Sequence, residues 1–178
     1  MVYTVKDEKA FLLKDPEHVF ISTLRMIMGF IWLWAFLDKL IGLGFATAPS
    51  KSWLAGNSPT TGFLKYGTKP ESPFAPIFVE LAKYATMIDP IYMAMLSFVG
   101  ISLLTGVMVK FGSIVGIIFS LSIYFSIIPL ANNPLIDEHI LYVIIFLMLI
   151  FTNAGLYGWS LGRTFQKLPI VQNYPILK

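Results

Sequence analysis

Ionisable and strongly polar residues are scarce in this chain, so the places where they gather carry weight. Asp38 and Lys39 are adjacent at the end of one apolar segment. Asn132, Asn133, Asp137, Glu138 and His139 stand just before another. Arg25 lies near the start of the first segment, and Asn153 and Tyr157 lie near the end of the last. These side chains suit proton transfer and hydrogen bonding to an oxygen-bearing ligand. Histidine titrates near neutral pH, carboxylates exchange protons, and lysine and arginine donate to carbonyl or anionic oxygens.

Spacing sorts them into faces. Arg25, Trp32, Phe36 and Lys39 recur at i, i+7, i+11 and i+14, one stripe of a helix; His139, Phe146, Asn153 and Tyr157 recur at i, i+7, i+14 and i+18, another. If the two stripes face each other, they enclose an aromatic interior with polar groups at both ends. Such a cavity fits a flat apolar ligand with two carbonyl oxygens, as in a quinone. On this reading His139, Asp137 and Asp38 are the candidate catalytic proton carriers. Arg25, Trp32, Asp38, Lys39, Asn133, Glu138, His139 and Asn153 are the candidate quinone-binding residues.

Each has an alternative role. Asp38 and Lys39 can form an ion pair at a helix end. Asp137 and Glu138 can favour the positive end of a helix dipole. His139 can be a solvated side chain, Arg25 a lipid-phosphate anchor, and the tryptophans membrane-belt residues. Asn153 falls well inside an apolar span and calls for an interhelical partner. Asp137, Glu138 and His139 are a weak metal-site candidate: being consecutive on one helix they point in different directions and cannot close a coordination sphere alone.

Composition sets the environment in which these groups act. Of 178 residues, 56% are hydrophobic and 13% charged, and the mean hydropathy is +0.73. Soluble domains carry roughly 25% charge. An all-α integral membrane protein follows, as a single membrane domain over residues 1–178. The net charge of +3 is too small and too scattered for nucleic acid. The absence of cysteine removes disulfides, iron–sulfur clusters and thiolate zinc sites. Of the two histidines, only His139 adjoins a long apolar segment, so no bis-histidine haem can come from this chain alone.

A spanning helix needs about 20 largely apolar residues. Four segments qualify, at about residues 20–43, 90–109, 111–131 and 139–161, giving a four-transmembrane-helix bundle with both termini on one side. Ala46-Thr47-Ala48 resembles a signal-peptide cleavage site, but the apolar segment before it ends in Asp38-Lys39, which argues for a retained helix. Lys6, Lys9, Lys14, Arg25, Lys110, Arg163, Lys167 and Lys178 on the terminal side outnumber Lys39, Lys51, Lys65, Lys69 and Lys83 on the other, which favours cytoplasmic termini in a multi-pass cell-membrane protein.

The loop 45–88 is proline-rich yet carries Trp53, Leu54, Phe63, Leu64, Tyr66 and Phe74, anchors that a disordered segment lacks. Ile77, Leu81, Tyr84 and Ile88 form an apolar stripe, which predicts an amphipathic helix lying in the interface as a lid over the bundle. Gly112, Gly116 and Ser120, and Ala154, Gly158 and Gly162, recur at four-residue spacing and predict close helix packing.

The run from Leu24 through Arg25, Trp32, Trp34 and Asp38 to Lys39 resembles the first helix of the DoxX/DoxD family. So do Gly42 to Thr47, Trp53 to Leu64, Asn132 to His139 with Asn133, Pro134 and Asp137, and Thr152-Asn153-Ala154-Gly155. The resemblance covers about residues 20–165. It implies a four-helix membrane subunit of a quinone-linked respiratory complex. DoxD members act with a DoxA subunit in archaeal thiosulfate:quinone oxidoreductase, joining two thiosulfates into tetrathionate and passing electrons to a quinone of the caldariella type. Lys39 and Lys51 are then the candidate cations for thiosulfate. The alternative is a non-catalytic accessory subunit of a terminal quinol oxidase, a haem–copper enzyme.

Overall fold

The computed structural model describes residues 15–174; Lys6, Lys9, Lys14 and Lys178 lie outside them. The described residues are helical, with no strand among them. α1 is Pro16–Ile41, α2 Ala75–Ala82, α3 Ala85–Thr105, α4 Val109–Ile127, α5 Glu138–Phe151, α6 Gly162–Gln166 and α7 Pro169–Asn173. α1, α3 and α4 are long and apolar enough to cross a membrane. The chain is a membrane protein. α5 has 14 residues and, at 1.5 Å per residue, is about 21 Å long, short of a hydrocarbon core of about 30 Å.

The helices are close-packed through small residues. A β-carbon at Gly29 of α1 would lie 2.7 Å from Leu104 N, and one at Gly100 of α3 would lie 2.7 Å from Leu33 N. The backbones of α1 and α3 therefore touch where the glycines meet them. On α4, Gly116 lies under the ring of Phe146 from α5, and Gly112 faces Ser102. Between these contacts Met28, Trp32, Met93, Leu96, Val99, Leu103, Phe146 and Leu149 are buried as one cluster.

Polar groups at the helix ends are satisfied in ways that shape the molecule. α3 ends at Gly106, whose left-handed conformation lets its N–H donate to Ser102 O. Leu103 O and Leu104 O accept from the Arg25 guanidinium, and Thr105 O accepts from Leu161 N. Every orphan carbonyl of that last turn has a donor. α1 ends at Gly42, also left-handed, and Trp53 N and Leu54 N donate to Lys39 O and Leu40 O. The long loop is thus stitched onto the end of α1. It is held to α4 by Ser72 Oγ on Phe125 O at 2.7 Å, and to the segment just after α4 by Lys69 Nζ on Pro129 O at 2.7 Å. It is held to α3 by Asp89, which accepts from Ser58 Oγ at 2.9 Å, Thr60 Oγ1 at 2.6 Å and Thr60 N.

Three sequence expectations change. The last apolar segment is not one helix to residue 161: α5 stops at Phe151, because Asn153 adopts a left-handed conformation (φ 51°) and Gly158 follows with φ 60°. Ala154, Gly158 and Gly162 therefore do not share one helix face: Ala154 opens a 3₁₀ turn, Gly158 lies in the bend after it, and Gly162 begins α6. Gly158 faces Ser22, and Gly162 abuts the Gly155 and Gly106 carbonyls. The second span begins before Pro90, since α3 starts at Ala85 and runs through the buried Asp89. The stripe of Ile77, Leu81 and Tyr84 is the exposed face of its segment, while Ala75, Phe78 and Ala82 pack inward beside Leu64; Ile88 belongs to α3.

Candidate functional site

The stripes of α1 and α5 meet through Trp32 and Phe146, whose rings contact edge-on with centroids 5.6 Å apart. Phe119 of α4 also meets Trp32 edge-on at 5.1 Å, and Tyr92 of α3 leans on Phe119 at 5.3 Å. Next to these rings is a cavity of about 200 Å³, lined by Ile31, Trp32, Ala35, Lys39, Tyr92, Leu96, Phe119, Ser120, Ile123, His139 and Tyr142. An apolar cavity of about 150 Å³ holds a benzene ring, so this one accepts a ring with its substituents.

Its polar groups lack partners. Trp32 Nε1 and Ser120 Oγ are buried and make no hydrogen bond among the described residues. Lys39 is absent from the side-chain ion pairs there, which are His18–Asp15, Lys83–Glu80 and His139–Asp137. His139 Nδ1 lies 2.6 Å from Asp137 Oδ2, which leaves Nε2 as the ring nitrogen to meet a ligand. Unpaired buried donors are costly, about 1–3 kcal/mol each. Two of them, Trp32 Nε1 and Ser120 Oγ, beside Lys39 and His139 around one aromatic cavity make a place for an acceptor-bearing, flat, apolar molecule.

Asp137 fixes this histidine by being the N-cap of α5. Its Oδ1 accepts from His139 N at 3.0 Å and Ile140 N at 3.2 Å, and its Oδ2 is left for the ring. Pro134 and the Asn133 turn, in which Asn133 Oδ1 accepts from Leu135 N and Ile136 N, set the approach to the cap. Asp137, Glu138 and Asn133 line a second cavity of about 410 Å³ with Lys69, Asn132 and Ile136. Asp137, Glu138 and His139 place their ligand atoms within 4.8 Å of one another, but Asp137 already spends both oxygens on the cap and the ring.

The sequence candidates thus fall into separate groups. Trp32, Lys39 and His139 share the smaller cavity, and Asn133, Asp137 and Glu138 share the larger. Asp38 is 2% exposed yet lines neither; its Oδ1 accepts from Phe45 N at 3.3 Å and closes the turn after α1. Arg25, fully buried, is at the far end, where it also donates to Trp159 O. Asn153 is there too, exposed at the turn that ends α5, with no interhelical partner among the described residues. Tyr92, Phe119 and Tyr142 line the cavity without having been singled out from the sequence. Ser120 was read only as a small packing residue. Tyrosines within apolar spans were the available signal.

Comparison of the chain with protein-family profiles, curated proteins and solved structures gave no match.

Proposed function

We propose that this protein is a quinone-binding membrane subunit of a respiratory complex, with the quinone ring in the cavity between α1, α3, α4 and α5. The supporting observation is the set of unpartnered groups, Trp32 Nε1, Ser120 Oγ, Lys39 and His139 Nε2, around an aromatic cavity of about 200 Å³. A quinone presents acceptor oxygens at opposite edges of an apolar ring, which is the complement of such a lining. When bound, the quinone supplies the acceptor for two electrons and two protons. Lys39 and His139 hold its oxygens, Trp32 and Phe119 flank the ring, and Asp137 fixes the imidazole so that Nε2 exchanges the proton.

The electron donor in this proposal is thiosulfate, oxidised to tetrathionate with a DoxA-like partner, as the resemblance to the DoxX/DoxD family implies. Lys51 is exposed on the loop at the same end as Lys39, where a dianion arriving from water meets cations. The bundle is read as four-spanning, with α5 and the folded-back turns to Gly162 together reaching the second interface. Its termini are read as cytoplasmic and its location as the cell membrane. α2 is read as lying in the interface, with its exposed Ile77 and Leu81, and Tyr84 just beyond it, toward lipid.

Purification from native membranes in mild detergent tests this reading. A co-purifying DoxA-like chain with extractable quinone is expected, together with thiosulfate-dependent quinone reduction that is lost in His139→Ala without loss of folding. Haem–copper quinol oxidase subunits with no quinone on this chain would instead make it an accessory subunit.

A further inference from the structure

We propose that the Asp137–His139 pair is the proton connection between two cavities, carrying protons between water in the larger one and a ligand oxygen in the smaller one. This rests on the reading of the smaller cavity as a quinone site. Asp137 lines the 410 Å³ cavity but not the 200 Å³ one, whereas His139 lines the 200 Å³ cavity but not the 410 Å³ one. The two side chains are joined at 2.6 Å, Nδ1 to Oδ2. The pair therefore forms the wall between the cavities, with one titratable group facing each.

The larger cavity is suited to water. Asn132, Asn133 and Glu138 are exposed at its rim, and Lys69 crosses it to Pro129 O. The smaller cavity is lined by the rings of Trp32, Tyr92, Phe119 and Tyr142 and has no carboxylate in its lining. The charged and titratable groups around the pair are Lys39 of α1, Tyr92 of α3, Tyr142 and Glu138 of α5, and Lys69 of the loop. Of these, only Glu138 is a second acid, and it lies on the water side.

The step balances. A proton taken from water by Asp137 passes from Oδ2 to Nδ1 as Nε2–H is given to the ligand oxygen. One proton enters, one leaves, and the imidazole changes tautomer. Running backwards, the same path takes protons from a quinol to the side on which the α1–α2 loop lies.

The full chain carries two histidines, so His18→Gln leaves a single imidazole for nitrogen NMR in lipid nanodiscs. The exchange rate of the His139 ring proton with water is measured, and the affinity for decylubiquinone is measured separately by tryptophan quenching. Ala131→Trp fills the larger cavity from an exposed position, and Ile31→Trp fills the smaller one. The expected result is that Ala131→Trp slows exchange about tenfold or more and leaves quinone affinity unchanged. Asp137→Asn, which keeps the capping oxygen, slows exchange likewise. Exchange that is untouched by Ala131→Trp but slowed by Ile31→Trp would overturn the relay. Failure of quinone to bind wild type, or binding indifferent to Ile31→Trp, would overturn the quinone site, and the exchange data would still report the path.

Discussion

His139 Nδ1 lies 2.6 Å from Asp137 Oδ2, while the other oxygen of the same carboxylate caps the helix on which the histidine sits. One aspartate therefore sets both where α5 begins and which nitrogen of His139 is left for a ligand. The coupling explains why a catalytic type of residue can be held rigidly at a helix start, where side chains are otherwise mobile.

Lys39 separates ligand binding from folding. It has no ion-pair partner among the described residues and lines the cavity. A charge-assisted hydrogen bond is worth about 1.5–3 kcal/mol. Lys39→Met should therefore weaken quinone binding about ten- to hundredfold, with the thermal midpoint unchanged. Fluorescence titration and thermal scans on the same preparation check both halves.

Arg25 makes the opposite prediction. Its guanidinium ties α1 to the end of α3 and to Trp159, far from the cavity. Arg25→Met strands three carbonyls and should destabilise the fold by about 1–3 kcal/mol. Quinone affinity of the folded fraction should stay at the wild-type value. A large loss of affinity without loss of stability would place Arg25 at the ligand.

Gly116 of α4 seats the Phe146 ring of α5 in the space a β-carbon would take. Gly116→Val must displace that ring, which in turn supports Trp32. Overpacking of this kind costs about 1–3 kcal/mol. A lowered thermal midpoint together with weaker quinone binding is expected.

Asp89 is buried and receives two hydroxyls and one N–H from the loop. Asp89→Ala leaves those donors unpaired and should release the loop from α3. Faster hydrogen exchange and proteolysis between residues 45 and 75 is the expected signature, with α4 and α5 protected as before.

How far the sequence could be read depended on which physical signal was available. α4 was legible because a long uncharged run has one reading in a membrane; α1 was legible from the uncharged centre Met26 to Leu37, with Asp38-Lys39 after it arguing against a cleaved signal. α3 was placed too late because Asp89 looked like a boundary; its charge is accommodated by Ser58 and Thr60, some thirty residues away, a contact no local pattern announces. The end of α5 was placed too late because hydropathy continues past Phe151. Asn153 with Gly155 and Gly158 marked the stop, since asparagine and glycine are the residues that adopt left-handed backbone cheaply. Helical spacing put Trp32 and Lys39 on one stripe and His139 and Phe146 on another, and these four meet; Asn153 and Tyr157, given to the second stripe, lie beyond the end of α5. It could not exclude Asp38, which is next to Lys39 in sequence but about 100° away around the helix. Nor could it show that Arg25 is spent on helix-end carbonyls, because those carbonyls exist only once α3 has stopped at Gly106.

The most direct test of the quinone cavity is photolabelling of the purified full-length protein with an azidoquinone, followed by peptide mapping. The account predicts labels between Ile31 and Lys39 on α1, around Phe119 to Ile123 on α4 and between His139 and Tyr142 on α5, all competed by unlabelled quinone and lost in Ile31→Trp. Labelling confined to the outer groove beside Met26, Phe30 and Trp159, or labelling that unlabelled quinone does not displace, would contradict it.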